Sequence, residues 1–106
     1  LMAVAGLGVV GPAKSGYETG NDLFAACTGT DSSSGAGYFL CYGYISGIVD
    51  YSYYVNVGSN QFCVPAGVTK GQLKDTLIAF LRRNPKDRHL SASVIVVAAL
   101  REAYPC

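Results

Sequence analysis

Apolar residues in the middle of the chain return to one side at steps of three and four residues, which is the period of an α-helix. The positions on this side are Tyr38, Cys41 or Tyr42, Ile45, Ile48 or Val49, and Ser52. The pattern predicts a helix from Tyr38 to about Tyr51. Residues 51–57 mix aromatic and β-branched side chains and would also suit a strand. We interpret them as the fraying end of this helix.

A second amphipathic pattern follows a capping box. Thr69 and Gln72 have the spacing at which each side chain bonds to the backbone N–H of the other residue. The apolar positions that come next at helical spacing are Leu73, Leu77, Phe80 and Leu81. Asn84-Pro85 then stops the pattern, because proline disfavours the helical conformation in the residue before it. This segment is predicted to be an amphipathic helix.

A short helix is predicted ahead of these two. It begins at Thr19, whose side chain can cap it, and runs to about Cys27 or Thr28. The stretch from Thr28 to Gly37 is rich in Ser, Thr and Gly and has no apolar period. We therefore expect it to be an exposed loop.

The last predicted helix begins near Leu90 or Ser91 and ends before Pro105. Its segment 94–100 is apolar on every side and, taken alone, would also suit a buried strand. The good helix formers in residues 98–103 favour a helix. A helix that is apolar all round is typical of a central, mostly buried element, so we expect that position for it.

Gly43 and Gly47 fall on a common stripe of the Tyr38–Tyr51 helix. Each glycine lowers helix stability by about 1 kcal/mol relative to alanine. Because a missing Cβ allows another backbone to come close, we interpret the stripe as a place of tight packing. The packing would occur inside the domain or across a dimer, and contact with a ligand is the alternative.

Composition and charge indicate a single globular domain. Half of the 106 residues are apolar, 14% are charged, and the net charge is +1 with Lys and Arg scattered. This distribution lacks the basic stripe of nucleic-acid-binding proteins. The sequence thus predicts an all-α fold, a small four-helix domain over residues 16–106. We expect no nucleic-acid partner and no membrane insertion in the mature form.

Residues 1–15 form a separate segment that is nearly all apolar or Gly up to Ala13. The segment is too short to cross a bilayer and is followed by small residues suited to cleavage. We interpret it as the remnant of a signal peptide; the alternatives are an artificial extension or an exposed, disordered arm. Its glycines match the spacing of the dinucleotide-binding fingerprint. However, Pro12 comes directly after the last of these glycines, and the sequence that follows does not predict a βαβ unit. We therefore expect no bound nucleotide.

Four cysteines in so short a chain predict the disulfide framework of an exported domain. Cys27 ends the first predicted helix and Cys41 lies in the first turn of the second, so an antiparallel hairpin brings them together. Cys63 precedes the third helix and Cys106 follows the fourth. The two helices have similar lengths, and the fourth is expected to run antiparallel beside the third, so its end returns to the neighbourhood of Cys63. The topology therefore predicts the pairs Cys27–Cys41 and Cys63–Cys106, which make two disulfide-linked helical hairpins.

The residues give little support to catalysis or to metal binding. No cysteine pair has Cys-x-x-Cys spacing, and His89, in a charged loop, is the only imidazole. The chain has no Gly-x-Ser-x-Gly elbow, and its acidic residues are spread over separate elements. We therefore expect no catalytic residue, no metal and no cofactor, and we interpret the chain as a binding or structural module.

Several short motifs occur together after residue 19. They are Gly20-Asn21-Asp22-Leu23, Cys41-x-Gly43-Tyr44-Ile45-x-Gly47-x-x-Asp50, Phe62-Cys63-x-Pro65-x-Gly67-Val68-Thr69, and Tyr104-Pro105-Cys106. In these motifs the chain resembles the Rap/Tai family of type VI secretion immunity proteins, although Tyr104 stands where a Phe is common. The resemblance implies a small helical protein that is exported to the periplasm through a signal peptide and often forms a homodimer. Such a protein would bind a peptidoglycan amidase effector and occlude its active-site groove, which protects the cell from itself and from sister cells.

The residues that would contact the partner are not in these motifs, because cysteines, glycines and prolines mainly fix the fold. Tyrosine is enriched at interfaces, so the tyrosine-rich segment and the polar residues after it are the first candidate surface. The alternative is that half of these tyrosines cover the core. The charged loop 84–89 is the second candidate surface. The predicted partner-binding residues are Tyr51, Tyr53, Tyr54, Asn60, Gln61, Lys86 and Arg88.

A function of another class stays open at this point. A small periplasmic acid-stress chaperone could share a disulfide-linked helical fold. It would bind many unfolded proteins broadly and lose its dimer at low pH.

Overall fold

The computed structural model describes residues 16–54 and 62–106. They form four helices: α1, Gly20–Thr28; α2, Gly35–Ser52; α3, Lys70–Arg83; and α4, Ala92–Ala103. A short 3₁₀ turn, Pro85–Asp87, connects α3 to α4. The described residues contain no strand, only an isolated bridge between Thr19 and Ser91. The prediction of an all-α, four-helix fold is confirmed.

Two of the helices start at capping boxes: the one at α3 was predicted as a box, and the one at α1 was predicted only as a cap by Thr19. At α1 the Thr19 hydroxyl accepts a hydrogen bond from the Asp22 N–H at 3.2 Å, and the Asp22 carboxylate accepts one from the Thr19 N–H at 2.9 Å. At α3 the same exchange joins Thr69 and Gln72, with distances of 3.1 and 2.7 Å. Each box satisfies backbone donors that a helix N-terminus otherwise leaves without partners.

The start of α2 differs from the prediction of a loop up to Gly37. The helix begins at Gly35, three residues before the expected Tyr38. The Asp31 carboxylate accepts a hydrogen bond from the Gly37 N–H at 2.9 Å, and the Asp31 carbonyl accepts one from the Tyr38 N–H at 3.0 Å. A side chain from the loop thus caps the helix, while Ser34, next to the first turn, makes no side-chain cap. The polar composition of the loop concealed this first turn.

The core lies where one face of every helix meets the others. On α2 the buried residues follow the predicted period, and on α3 they are the predicted leucines. The fifteen residues of the core are Leu23, Ala26, Cys27, Cys41, Ile45, Val49, Phe62, Leu73, Leu77, Leu81, Ala92, Ile95, Val96, Ala99 and Leu100. Burial of these apolar side chains supplies most of the driving force for folding.

Both predicted disulfides are present. Cys27 and Cys41 are joined across the α1–α2 hairpin with a Cα–Cα distance of 5.1 Å, and both are buried. Cys63 and Cys106 are joined with a Cα–Cα distance of 5.0 Å, and both are exposed. This second disulfide is reinforced by a hydrogen bond of 2.8 Å from the Cys63 N–H to the Tyr104 carbonyl.

Backbone hydrogen bonds join the start of α1 to the segment before α4. The Gly20 N–H donates to the Leu90 carbonyl at 2.9 Å, and the Asn21 N–H donates to the Arg88 carbonyl at 2.7 Å. A Cβ added at Gly20 would lie 2.8 Å from the Arg88 carbonyl oxygen. Glycine at this position therefore allows the two hairpins to approach each other closely.

Two predictions fall partly or wholly outside the described residues. The interpretation of residues 1–15 lies outside them. The fraying end predicted for residues 51–57 is described only up to Tyr54: Tyr51 and Ser52 complete α2, and Tyr53 and Tyr54 form a turn. Among the helices described, none is long and apolar enough to span a membrane.

Candidate binding surface

A groove with a volume of about 580 Å³ opens between α2 and α4. Its lining is mainly apolar or small, with Tyr51 and Arg101 as the large polar side chains. From α2 the lining residues are Gly47, Ile48, Tyr51 and Ser52, and from α4 they are Ser93, Val94, Val97, Ala98 and Arg101. Pockets of this size and composition are typical sites for an apolar ligand or for an apolar side chain of a protein partner.

The α4 wall of the groove shows that α4 is less buried than the central, mostly buried helix that the sequence predicted. One face of α4 packs in the core, whereas the opposite face leaves Val94 57% exposed and Val97 and Ala98 half-buried. A helix can place only one face against a core made by three other helices. The apolar residues on its other face are therefore an available surface.

Phe62 contributes to the lining from a third segment. Its side chain is buried and belongs to the core, while it also borders the groove. It precedes Cys63, which is tied to the C-terminus by the second disulfide. The backbone that carries Phe62 is therefore held in place by a covalent bond. Periodicity in the sequence gave no indication of this role, because Phe62 lies outside every helix.

The tyrosines predicted to bind a partner lie at the C-terminal end of α2. Tyr51 is 65% exposed, Tyr53 is 70% exposed and Tyr54 is 88% exposed, so none of the three covers the core. Tyr51 also lines the groove. The predicted residues Asn60 and Gln61 lie outside the described part of the chain. The groove thus contains one predicted partner-binding residue, Tyr51, beside residues of α4 that were not predicted to bind a partner.

The second predicted surface, the loop 84–89 before α4, contains two positively charged residues that differ in their surroundings. Lys86 is exposed, and its Nζ atom lies 3.7 Å from a carboxylate oxygen of Asp87. Arg88 is engaged within the chain: its Nε–H donates to the Leu81 carbonyl at 2.8 Å, and its guanidinium stacks over the Phe24 ring at 4.1 Å from the centroid. Arg88 therefore has a structural role, and binding by Lys86 and Arg88 stays a prediction.

Gly43 and Gly47, two of the four glycines of α2, make no close contact with the other described residues. Gly43 and Gly47 are exposed, and a Cβ built on either would meet no heavy atom of the described residues within 4 Å. The predicted tight packing of these glycines is not found against the described residues. The glycines leave an open strip on the outer surface of α2, where a dimer contact or a ligand contact stays a prediction.

An exposed ion pair joins the ends of α3 and α4. The Arg83 guanidinium donates to a Glu102 carboxylate oxygen at 2.7 Å. This hydrogen bond, with the positive charge of Arg83, lowers the pKa of Glu102 below its ordinary value. In the part of the chain that the structure covers, no cluster of three or more His, Cys, Asp or Glu side chains could hold a metal ion.

A family comparison decides what kind of protein carries this surface. The model of the Rap1a immunity proteins matches residues 19–106, which is all four helices and all four cysteines. The chain belongs to the Rap1a immunity protein family. No curated protein and no solved structure matches it.

Membership in the Rap1a family makes this chain an immunity protein against a secreted effector. Its principal task is thus to bind a protein. The family match agrees with the resemblance found in the motifs, since the matched range contains every motif from Gly20 to Cys106. For a Rap1a protein, the exposed apolar groove and the tyrosines beside it are the described features best suited to protein recognition.

Proposed function

We propose that this chain is a periplasmic immunity protein of a type VI secretion system. Acting as a homodimer, it binds a peptidoglycan amidase effector and occludes its active-site groove, which protects the cell from itself and from sister cells. The protein performs no catalysis. The family match over residues 19–106 carries this proposal. The amidase, the periplasm and the signal peptide come from the resemblance of the motifs.

The two disulfides support the proposed compartment. All four cysteines are paired, and disulfides persist in the bacterial periplasm but are rare in the reducing cytosol. In a domain of this size, two crosslinks of about 2–4 kcal/mol each are a large part of the total stability.

The groove and its tyrosines support binding of a folded protein partner. We propose that the α2–α4 groove receives an apolar side chain of the effector and that Tyr51, Tyr53 and Tyr54 contact the surface around it. Tyrosine offers a large contact area and loses little conformational entropy, because it has only two side-chain torsions. The groove is carried by two helices that are linked to the rest of the domain by packing, so little ordering opposes binding.

The proposal is tested with purified peptidoglycan amidase effectors, beginning with any amidase whose gene is found next to the gene of this chain. Binding of the purified amidase is measured by calorimetry, and its hydrolysis of peptidoglycan is followed with and without the immunity protein. We expect nanomolar binding and loss of hydrolysis. Val94→Glu places a carboxylate in the apolar groove, and we expect it to weaken binding roughly 10- to 100-fold, as loss of a central contact does.

Ala79→Glu is the matched control for Val94→Glu, because Ala79 is exposed on α3 and does not line the groove. This control should bind like the wild type. Tight binding that Val94→Glu leaves unchanged would contradict the groove as the contact site. No amidase binding, combined with weak capture of many unfolded proteins, would contradict the immunity proposal in this form and support the chaperone alternative.

A further inference from the structure

The charged side chains of the described residues are segregated between the two hairpins. Residues 16–54, which contain α1 and α2, carry four carboxylates and no Lys, Arg or His, a net side-chain charge of −4. Residues 62–106, which contain α3 and α4, carry seven Lys and Arg side chains and three carboxylates, a net side-chain charge of +4 with His89 neutral. The small net charge of the whole chain therefore conceals an acidic hairpin and a basic hairpin.

The α2–α4 groove lies on the border between these two hairpins, because α2 forms one wall and α4 forms the other. Among the described residues that line the groove, only Arg101 is charged, and it belongs to the basic hairpin. On the α2 side, Asp50 is exposed and directly precedes Tyr51, which lines the groove. A partner that fills the groove and extends over both walls thus meets positive charge on one side and negative charge on the other.

Asp50 occupies a position where a carboxylate weakens its own helix. It lies in the last turn of α2, at the C-terminal end of the helix dipole, where negative charge is unfavourable. The last turn of α2 contains no basic residue, and Asp50 has no ion-pair partner among the described residues. Nothing in the described part of the chain therefore compensates this carboxylate. A cation on a binding partner would do so.

Arg101 is suited to bind a carboxylate of a partner. Its guanidinium presents N–H donors in a planar fork that matches the two oxygens of a carboxylate. Arg101 also interacts within the chain, but a guanidinium has five N–H donors and can bind a second group at the same time. Glu102, the next residue in the sequence, is bound by Arg83 at 2.7 Å. An ion pair formed beside the apolar lining is screened less than one in open solvent.

We propose that the effector lies across the groove with an acidic surface against the second hairpin and a basic surface against the first. A carboxylate of the effector binds Arg101, a cation of the effector lies near Asp50, and its apolar side chain fills the groove between them. This inference rests on the proposed function and adds the charge pattern of the partner. Complementary charge fixes the orientation of docking, because an effector turned around in the groove would bring like charges together.

The first test measures the rates at which the purified amidase effector associates with the chain and dissociates from it. We expect the association rate constant of the wild type to fall roughly 10-fold as salt is raised from about 0.05 M to about 0.5 M, because salt screens the steering charges. Arg101→Gln and Asp50→Asn should each slow association roughly 5-fold in low salt and have little effect on association in high salt.

Arg82→Gln is the matched control for Arg101→Gln. Both arginines are exposed and lie in the last turn of a helix, but Arg82 does not line the groove. The two variants therefore lose the same favourable charge at a helix end, and their melting temperatures should fall by similar amounts. Arg82→Gln should slow association less than roughly 2-fold, since its charge is outside the contact.

Arg101→Lys separates the charge of this residue from its hydrogen-bonding geometry. The lysine keeps the positive charge, so the association rate constant should stay close to that of the wild type. It lacks the planar fork, so the effector should dissociate roughly 5-fold faster. Equal rates for Arg101→Lys and the wild type would overturn the bidentate pair.

A charge-reversal experiment identifies the group on the effector. Arg101→Glu should weaken binding, because it places like charges opposite each other. The exposed Asp and Glu residues of the effector are then changed one at a time to Arg. One of these effector variants should recover at least roughly 10-fold of the lost affinity for Arg101→Glu. A complete set without any recovering variant would overturn the pairing of Arg101 with a carboxylate.

Failure of this inference can be told apart from failure of the proposed function. Tight amidase binding with an association rate that does not depend on salt would overturn the inference alone. The same holds for tight binding in which Arg101→Gln associates as fast as the wild type in low salt. Absence of any amidase binding would overturn the proposed function, and this inference with it.

Discussion

At the residue scale, glycine has opposite roles at two positions of this domain. Gly20 lies where a Cβ would meet the Arg88 carbonyl oxygen at 2.8 Å and the Ile95 Cδ1 atom at 2.6 Å. The backbone oxygen cannot rotate away as a side chain can. A Cβ at Gly43, in contrast, would meet no heavy atom of the described residues within 4 Å. The first glycine is needed for close packing of the two hairpins, whereas no contact among the described residues offsets the cost of the second to α2.

Alanine substitutions at these two positions should therefore shift stability in opposite directions. We expect Gly20→Ala to lower the free energy of unfolding by about 1–3 kcal/mol through overpacking. Gly43→Ala should raise the free energy of unfolding by about 1 kcal/mol through helix propensity. Urea unfolding at low protein concentration measures both changes. Equal losses at the two positions would contradict the packing described for Gly20 and Gly43.

The Arg83–Glu102 pair should make a pH-dependent contribution to stability. The pKa of Glu102 is below its ordinary value of 4.5 because Arg83 donates a hydrogen bond to the ionised carboxylate and carries a positive charge. The contribution is thus present above pH 4.5 and is lost as the pH falls through the lower, folded-state pKa. Glu102→Gln should differ from the wild type in low salt at pH 7 but not in acid. Added salt should reduce the difference, since both side chains are exposed.

At the element scale, α2 is the helix whose start depends on a residue outside it. Asp31 lies four residues before the first residue of α2 and bonds to the backbone N–H of its third residue. A capping side chain normally lies next to the first helical residue. The Asp31 hydrogen bond instead crosses the loop between α1 and α2. The Cys27–Cys41 disulfide joins the same two helices.

Asp31→Ala should destabilise the domain by about 1–2 kcal/mol, since it removes the cap of an 18-residue helix. Ser34→Ala is the matched control, because Ser34 precedes α2 directly but makes no side-chain hydrogen bond to it. This control should change the free energy of unfolding by less than about 0.5 kcal/mol. Chemical denaturation of both variants provides the comparison, and a larger loss for Ser34→Ala would show that the cap is assigned to the wrong residue.

The sequence predicted those features of the fold that depend on residues close together in the chain. Thr69 and Gln72 are three residues apart, so the capping box of α3 was predictable, and the buried leucines followed from a period of three and four. The first turn of α2 was missed because Asp31 acts over six residues through a loop without any pattern. The groove was missed for a different reason. Its walls belong to two helices and to Phe62, and only the packing of the whole domain reveals which apolar residues remain uncovered.

At the scale of the whole molecule, the two disulfides differ in exposure and in the length of chain they enclose. Cys27–Cys41 is buried with a separation of 14 residues, and Cys63–Cys106 is exposed with a separation of 43 residues. Loop-closure entropy increases with this length. The exposed disulfide is therefore both more accessible to a reductant and the larger entropic constraint on the unfolded chain.

Removing the second disulfide should affect the groove as well as stability. We expect Cys63→Ser with Cys106→Ser to lower the free energy of unfolding by about 4 kcal/mol, the loop-closure value for this separation. The backbone N–H of residue 63, which donates to the Tyr104 carbonyl and follows Phe62 directly, should then lose hydrogen-exchange protection. Mild reduction followed by alkylation should label Cys63 and Cys106 before Cys27 and Cys41. Simultaneous labelling of all four would contradict the difference in exposure.

The order of the disulfides has a consequence for how the protein is made. Both pairs join cysteines that are neighbours in the sequence, first with second and third with fourth. A chain that crosses a membrane from its N-terminus meets the oxidising machinery in that same order. An oxidase that joins each thiol to the one before it would produce the native bonds directly. In the periplasm that we propose for this domain, its maturation should accordingly require an oxidase but no disulfide isomerase.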